Sequence, residues 1–140
     1  MRFHKDQKIE LLSQVPLLSR CSKSELQRIA KLADLVDFKE GETLMTEGSR
    51  GAEFFVIVDG AAEVIKDGHR LAELGAGDWV GEIALLSDVP RTATVVASTE
   101  LETLVLTRQG LSALIHDVPT IGTKVLAAVG ERLSEQTSTI

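Results

Sequence analysis

Glycines divide the middle of the chain into short β-rich pieces, and this pattern limits the fold more than any other feature. Between residues 37 and 107 the pieces FFVIV, AAEVI, ATVVAS and ETLVL are separated by glycines 41, 48, 51, 60, 68, 75, 77 and 81. Strands this short, with turn residues between them, are typical of a sandwich or a barrel. Lys66-Asp67-Gly68-His69 predicts a hairpin, because Asp-Gly supplies the positive φ of a tight turn. The sequence therefore predicts a β-roll over about residues 37–107.

Helical patterns flank this region on both sides. Ser22-Lys23-Ser24-Glu25 reads as a capping box at the start of a helix within residues 5–36. Pro119 suits the first turn of a second helix within residues 108–136. One apolar stripe runs along that helix through Val118, Ile121, Val125, Val129 and Leu133. We predict an α+β fold in which N- and C-terminal helices flank an antiparallel, jelly-roll-like β-roll, forming a single domain over residues 1–140.

Composition excludes several classes of partner. The net charge of −6 argues against a nucleic-acid surface, because neutralising phosphates requires a basic patch. No apolar run approaches the roughly eighteen residues needed to span a membrane. The single cysteine, Cys21, excludes an internal disulfide framework and fits a reducing compartment. We expect a cytoplasmic protein with no nucleic-acid and no membrane partner.

Catalytic and metal-binding patterns are missing from the sequence. His4, His69 and His116 fall in three different regions, so we expect no metal site and none of the metal chemistry of cupin enzymes, which also use β-rolls. No serine, cysteine or aspartate lies in a recognisable nucleophile motif. We therefore predict that the chain is not an enzyme and has no catalytic residue.

The stretch WVGEIALLSDVPRTATVV, residues 79–96, places Glu82 and Arg91 inside an apolar run. Buried charges need partners. Gly81–Leu86 is too rich in Ala and Leu for a strand and predicts one helical turn, whose first amides and positive end would attract an anion. Pro90 restricts the backbone before Arg91, and a guanidinium matches two phosphate oxygens. Two interpretations remain open from these residues: an internal ion pair, or a phosphate ligand.

Gly81-Glu82-Ile83-Ala84-Leu85-Leu86, followed by Pro90-Arg91-Thr92-Ala93-Thr94-Val95, resembles the phosphate-binding cassette of cyclic nucleotide-binding domains. That family includes catabolite-activator regulators, regulatory subunits of cyclic-nucleotide-dependent kinases, and gated channels. Phe38-Lys39-x-Gly41-Glu42, Glu47-Gly48, Phe55-Val56-Ile57-x-x-Gly60 and Leu74-x-x-Gly77-Asp78 are similar to the family's spacing, so the likeness covers roughly residues 10–135. We call residues 81–95 the cassette.

The resemblance implies a ligand site for cyclic AMP or cyclic GMP, without a metal. Glu82 would accept from the ribose 2′-hydroxyl, and Arg91 would pair with the equatorial phosphate oxygen. Gly81 would let the ribose approach the backbone. The remaining phosphate contacts would be the amides of Ile83, Ala84 and Ala93 and the hydroxyl of Thr92. The apolar contacts with sugar and base would be Val64, Leu71 and Val80. The C-terminal helix would supply a lid residue, Arg132, or else Gln136 or Thr137.

These implications predict a non-catalytic cyclic nucleotide sensor in which the ligand shifts the C-terminal helix. The alternative is a structural or protein-interaction domain that keeps the cassette without a ligand. Within these 140 residues no segment remains for a DNA-binding motif, a kinase or a pore, so we expect the output to pass through an effector protein or through further parts of a larger protein. The apolar stripe of the last helix could pack on the roll or on a second copy, and the resemblance implies a weak homodimer through that helix.

Overall fold

In the computed structural model, which describes residues 5–137 and the side chains of residues 6–134, the chain divides into two compact units. Residues 33–110 form the roll unit. Residues 5–32 and 111–137 form the helical unit. The prediction of a single domain over residues 1–140 stays a prediction.

Eight strands in two antiparallel sheets make up the roll unit. The first sheet has the order β1-β8-β3-β6, and the second has the order β2-β7-β4-β5. The strands are β1 (Asp34–Phe38), β2 (Thr43–Met45), β3 (Glu53–Asp59), β4 (Ala62–Lys66), β5 (His69–Leu74), β6 (Trp79–Val80), β7 (Thr94–Ala97) and β8 (Leu101–Thr107). Strands that are distant in sequence pair with one another, as β1 does with β8. Residues far apart in the chain therefore come together beside the cassette.

A small apolar core fills the roll. Its fully buried members are Ile57, Ala62, Val95, Ala97 and Leu101. Alternation explains the placement of Val95 and Ala97, since successive side chains of a strand point to opposite faces of the sheet. In β7 the burial pattern alternates accordingly, with Val95 and Ala97 buried and Thr94 and Val96 only partly so.

Tight turns join the strands where the sequence predicted them. Asp67 and Gly68 have φ of 52° and 77°, so the predicted Asp-Gly hairpin is confirmed between β4 and β5. One boundary differs from the sequence-based expectation. Residues 34–36 were predicted as the end of a helix, but β1 begins at Asp34 because its backbone pairs with β8 in continuous register from Asp34↔Val105 to Phe38↔Leu101.

The helical unit contains α1 (Lys5–Ser13), α2 (Lys23–Leu32), α4 (Pro119–Thr137) and most of α3 (Arg108–Asp117). A short 3₁₀ turn, Pro16–Leu18, packs against α4. The predicted start of the last helix at Pro119 is confirmed. Within the predicted stripe, Ile121 and Val125 are buried, whereas Leu133 is 58% exposed.

Glu25 closes the predicted capping box and also joins α2 to α4. The Ser22 amide donates to Glu25 Oε1 at 2.8 Å, and the Glu25 amide donates to Ser22 Oγ at 3.2 Å, so the capping box is confirmed. Thr120 Oγ1 donates to Glu25 Oε2 at 2.8 Å, and Lys124 Nζ donates to Glu25 Oε1. The bond from Lys124 is the main cause that lowers the pKa of Glu25 to about 2, followed by the bond from the Ser22 amide. A buried carboxylate with this many donors is held in its charged form.

Candidate functional site

The cassette opens with a turn that only a glycine accommodates well. Gly81 has φ of 83° and caps a 3₁₀ turn, Glu82–Leu85. The single helical turn that the sequence predicted here is therefore confirmed. A positive φ is costly for residues with a Cβ. The turn buries Ala84 and Leu85 and leaves Ile83 63% exposed, with Glu82 half-buried. The cassette is therefore anchored by two apolar side chains, while Ile83 remains accessible to solvent.

Arg91 is almost completely buried, and its guanidinium is bonded to a residue of β3. It is 7% exposed. Its Nη2 donates to the carbonyl oxygen of Glu53 at 2.7 Å and lies 3.6 Å from Glu53 Oε1. Glu53 begins β3, and its carboxylate side chain is 47% exposed. The structure thus gives Arg91 an acidic partner that lies 38 residues away in sequence.

Two glycines make room for this guanidinium. A Cβ added to Gly81 would lie 2.8 Å from Arg91 Nη1 and 2.9 Å from the carbonyl oxygen of Glu53. A Cβ added to Gly51 would lie 2.7 Å from Arg91 Nη2. Carbon atoms do not approach polar atoms this closely without displacement. Gly81 was predicted for close approach of the ribose, and the structure adds that it borders the arginine.

The segment before β3 fixes the backbone of Arg91. We call residues 46–51 the backing loop. The Arg91 amide donates to the Ser49 carbonyl at 2.8 Å, and the Gly48 amide donates to the Arg91 carbonyl at 2.8 Å. Arg50 Nη1 donates to the Asp88 carbonyl at 2.8 Å. Because both backbone groups of Arg91 are bonded to one loop, its side chain leaves the chain at a defined place.

Burial and neighbouring charges act on Arg91 in opposite directions. Desolvation lowers the pKa of Arg91, the carboxylate of Glu53 raises it, and the charge of Arg108 lowers it further. Arg108 is itself bonded to the cassette, since its Nη1 donates to the Ala84 carbonyl at 3.1 Å. A guanidinium keeps its proton at neutral pH despite such a shift. Two cations near one another, with one carboxylate close to Arg91, form a site suited to an anion.

The other predicted phosphate contacts differ in their present hydrogen bonds. The Ala84 amide donates to the Gly81 carbonyl at 3.0 Å inside the turn, so it would have to share its hydrogen. Among residues 6–134, no side chain or carbonyl accepts from the amides of Ile83 or Ala93. Ala93 is buried and Thr92 is exposed. The arrangement can bind an oxyanion through N–H and O–H donors.

The predicted apolar contacts fall into two environments. Val64 and Val80 are partly buried and pack against the core of the roll. Leu71 is 60% exposed on β5. In the pairing of β4 with β5 the register shifts at this point, since Val64 faces Ala72 and Ile65 faces Arg70. Leu71 therefore occupies the extra position of a bulge, where a strand redirects a side chain.

The lid candidates belong to the helical unit. Arg132 is exposed on α4. The side chains of Gln136 and Thr137 lie outside the described residues. The roles assigned to these residues, and to every other predicted contact of the ligand, stay predictions.

The contacts of Arg91 with Glu53 and Gly51 were missed from the sequence. Neither an acid at the start of a strand nor one glycine among many indicates by itself a contact with Arg91. Only the spacing Gly48-x-x-Gly51 before the apolar run FFVIV marks the backing loop, and that spacing does not say which side chain will lie against it.

The site and the roll can be compared with known proteins. The model of the cyclic nucleotide-binding domain family matches residues 35–117 of this chain. The chain belongs to the cyclic nucleotide-binding domain family. The resemblance of the cassette is thereby confirmed at the level of the family. The antiparallel roll with flanking helices is confirmed as well, since a solved relative has the same fold over nearly its whole length.

That solved relative is the N-terminal domain of a transcriptional regulator from Streptomyces coelicolor A3(2). It superposes with a TM-score of 0.85 at 28% identity and covers 93% of this chain and 94% of its own. The cAMP-dependent protein kinase regulatory subunit of Mycosarcoma maydis is 42% identical over 64% of this chain and 18% of its own length. The corresponding subunit of Yarrowia lipolytica is 38% identical over 76% of this chain and 29% of its own. The chain thus spans less than a third of the length of these regulatory subunits.

Among residues 6–134, no group of three or more His, Cys, Asp and Glu side chains is arranged to hold a metal ion. None of the helices within residues 5–137 combines the length and apolar character needed to cross a membrane.

Proposed function

We propose that this cyclic nucleotide-binding regulatory domain takes cyclic AMP as its physiological ligand, with weaker binding of cyclic GMP. The observation that carries the proposal is the burial of Arg91 beside the cassette turn, where one guanidinium nitrogen is bonded to the Glu53 carbonyl. An arginine has five N–H donors. Burying it costs free energy that a phosphate would offset through charge-assisted bonds. The names of the kinase relatives, which are cAMP-dependent, support the choice of ligand.

In this proposal each predicted contact has one task. The cyclic phosphate is bound by Arg91 and by the amides of Ile83 and Ala93. Ala84 and Thr92 assist. Glu82 accepts from the ribose hydroxyl beside Gly81. Val64, Val80 and the exposed Leu71 provide apolar surface for the sugar and the base, which is how most small ligands gain affinity.

The output of binding is a change of the C-terminal helix, read by an effector protein. A ligand changes an equilibrium between two states only by its difference in affinity for them, and useful coupling is about 1–3 kcal/mol. Arg132 is the residue of α4 that we expect to respond to the ligand. The chain performs no catalysis, and we expect it to work in the cytoplasm. A protein kinase is the partner that the regulatory relatives suggest.

Titration of the purified chain with cyclic AMP tests the proposal. Isothermal calorimetry should give a single site, and ligand at a hundred times its Kd should stabilise the fold by about 2.7 kcal/mol. The melting temperature should then rise by several degrees. 5′-AMP, which has an open phosphate, is the matched control and should bind more weakly. No heat and no thermal shift with cyclic AMP or cyclic GMP would favour the alternative, a structural domain whose Arg91 is satisfied by Glu53.

A further inference from the structure

Gly51 lies directly against the guanidinium of Arg91. A Cβ built on Gly51 would lie 2.7 Å from Nη2, 2.9 Å from Nε and 3.1 Å from Cζ. Cβ atoms essentially never come within 3.0 Å of another heavy atom. The guanidinium can therefore occupy this place only because residue 51 has no side chain.

The reason for glycine at this position is steric. Gly41, Gly48, Gly60, Gly68, Gly77 and Gly81 have positive φ, but Gly51 does not. An alanine at position 51 thus has an accessible backbone conformation, and its cost falls on the neighbouring side chain. By contrast, Gly48 in the same loop has φ of 84° and nothing within 4 Å of its added Cβ.

The backbone of Arg91 has little freedom to move away from such a Cβ. The atoms of Gly81 and the Glu53 carbonyl border the guanidinium on another side. The backbone of Arg91 is bonded to Ser49 and Gly48 of the backing loop, and Pro90 pairs with Arg50 in an antiparallel bridge. The clash would be relieved by the flexible end of the arginine, which would then lose its 2.7 Å bond to Glu53.

We propose that Gly51 is a positioning residue that sets the place of the Arg91 guanidinium for an incoming cyclic phosphate. Gly51 acts through the arginine and does not need to touch the ligand. The inference rests on the proposed function, because it assigns to Arg91 the phosphate contact. The steric relation between Gly51 and Arg91 depends only on the geometry of these two residues.

Gly51→Ala tests the inference, with Gly75→Ala as the matched control. Gly75 lies in the same roll, has no positive φ, and has nothing within 4 Å of its added Cβ. By calorimetry with cyclic AMP, Gly51→Ala should lose about tenfold or more in affinity, since a charge-assisted bond is displaced. Gly75→Ala should bind as the parent does. Parent-like affinity of Gly51→Ala would overturn the inference.

A double-mutant cycle with Arg91→Ala separates positioning from general damage to the loop. Gly51→Ala should cost affinity in the parent and add no further loss to Arg91→Ala, because the clashing group is gone. An equal loss in both backgrounds would overturn the inference. Should Gly51→Ala fold poorly, the inference expects Gly51→Ala with Arg91→Ala to regain the melting temperature of Arg91→Ala alone, and failure to regain it would count against the inference.

The same cycle remains informative if the proposed function fails. In that case the parent binds no cyclic nucleotide, yet the melting temperatures of the four proteins still report whether Gly51 and Arg91 interact. Coupling in stability without any binding would sink the function and keep the steric relation. Binding by the parent without coupling in affinity or stability would sink the role of Gly51 and keep the function.

Discussion

Arg91 Nη2 lies 2.7 Å from the carbonyl oxygen of Glu53 and 3.6 Å from its carboxylate, so one residue of β3 supplies both acceptors. The backbone acceptor cannot be removed by mutation, whereas the carboxylate is half exposed. At 3.6 Å the carboxylate forms a long ion pair with Arg91 and lies beyond hydrogen-bond distance of Nη2. The Glu53 carboxylate is therefore a weak partner for the buried guanidinium, and we expect a phosphate to be the stronger one.

Arg91→Ala should weaken cyclic AMP binding far more than it weakens the fold. The lost bidentate, charge-assisted contact is worth about 1.5–3 kcal/mol, which is roughly ten- to a hundredfold in affinity. Calorimetry measures the affinity, and the melting temperature without ligand measures the fold. Arg28→Ala, an exposed arginine of α2, is the control and should change neither. A collapsed fold, or unchanged affinity, would instead make the Arg91–Glu53 pair structural.

Glu82→Gln should lose more affinity for cyclic AMP than for its 2′-deoxy analogue. Glu82 is half-buried on the cassette turn, next to Gly81. A hydrogen bond to a charged acceptor is worth about 1.5–3 kcal/mol, and the deoxy ligand cannot make it. Titration of the parent and the variant with both ligands gives the comparison. Equal losses would remove Glu82 from the ribose.

The sequence predicted the fold well wherever a local pattern has a local cause. The capping box of Ser22 and Glu25 and the Asp67-Gly68 hairpin each depend on bonds within four residues. The end of the first helical region was placed too late, because residues 34–36 are held by strand β8, about 70 residues away, and propensity does not report such pairing.

In the candidate site, too, the local turn could be predicted from the sequence and the long-range contacts could not. The turn after Gly81 could be predicted from composition, because Ala and Leu favour a helical turn over a strand, and the structure has that turn. The contacts of Arg91 with Glu53 and Gly51 could not, because they depend on backbone bonds between Arg91 and the backing loop, which is distant in sequence. The sequence pattern identifies Arg91, but only the tertiary fold determines which residues contact it.

Thr92→Ala should lower affinity for cyclic GMP more than for cyclic AMP. Thr92 is exposed within the cassette, so its hydroxyl is accessible to a ligand. A guanine in the syn orientation brings its 2-amino group over the phosphate, where the hydroxyl could accept from it, and adenine has no such group. One such bond is worth about 0.5–1.5 kcal/mol, so discrimination should stay under about two orders of magnitude. Parent and variant are titrated with both nucleotides, and an equal loss would leave Thr92 as a phosphate contact alone.

Glu25→Gln should destabilise the fold at pH 7 and much less at low pH. The pKa of Glu25 is lowered from 4.5 to about 2, so its contribution is complete above pH 4.5 and is lost as the pH falls toward 2. The free energy of unfolding of the parent and Glu25→Gln, measured by urea from pH 7 to pH 2.5, should therefore converge on acidification. Glu10→Gln, an exposed residue of α1, is the control. A difference independent of pH would assign the effect to packing.

One side of α4 exposes two large leucines. Leu126 and Leu133 are 72% and 58% exposed and stand seven residues apart, which places them on one face of the helix. We expect this face to pair with the same helix of a second copy, because two large leucines gain free energy when they leave water. Leu126→Lys with Leu133→Lys should abolish the dimer in sedimentation velocity. Ala127→Lys, at an exposed position about 100° around the helix from Leu126, should preserve it. A parent that sediments as a monomer up to millimolar concentration, with and without cyclic AMP, would rule the dimer out.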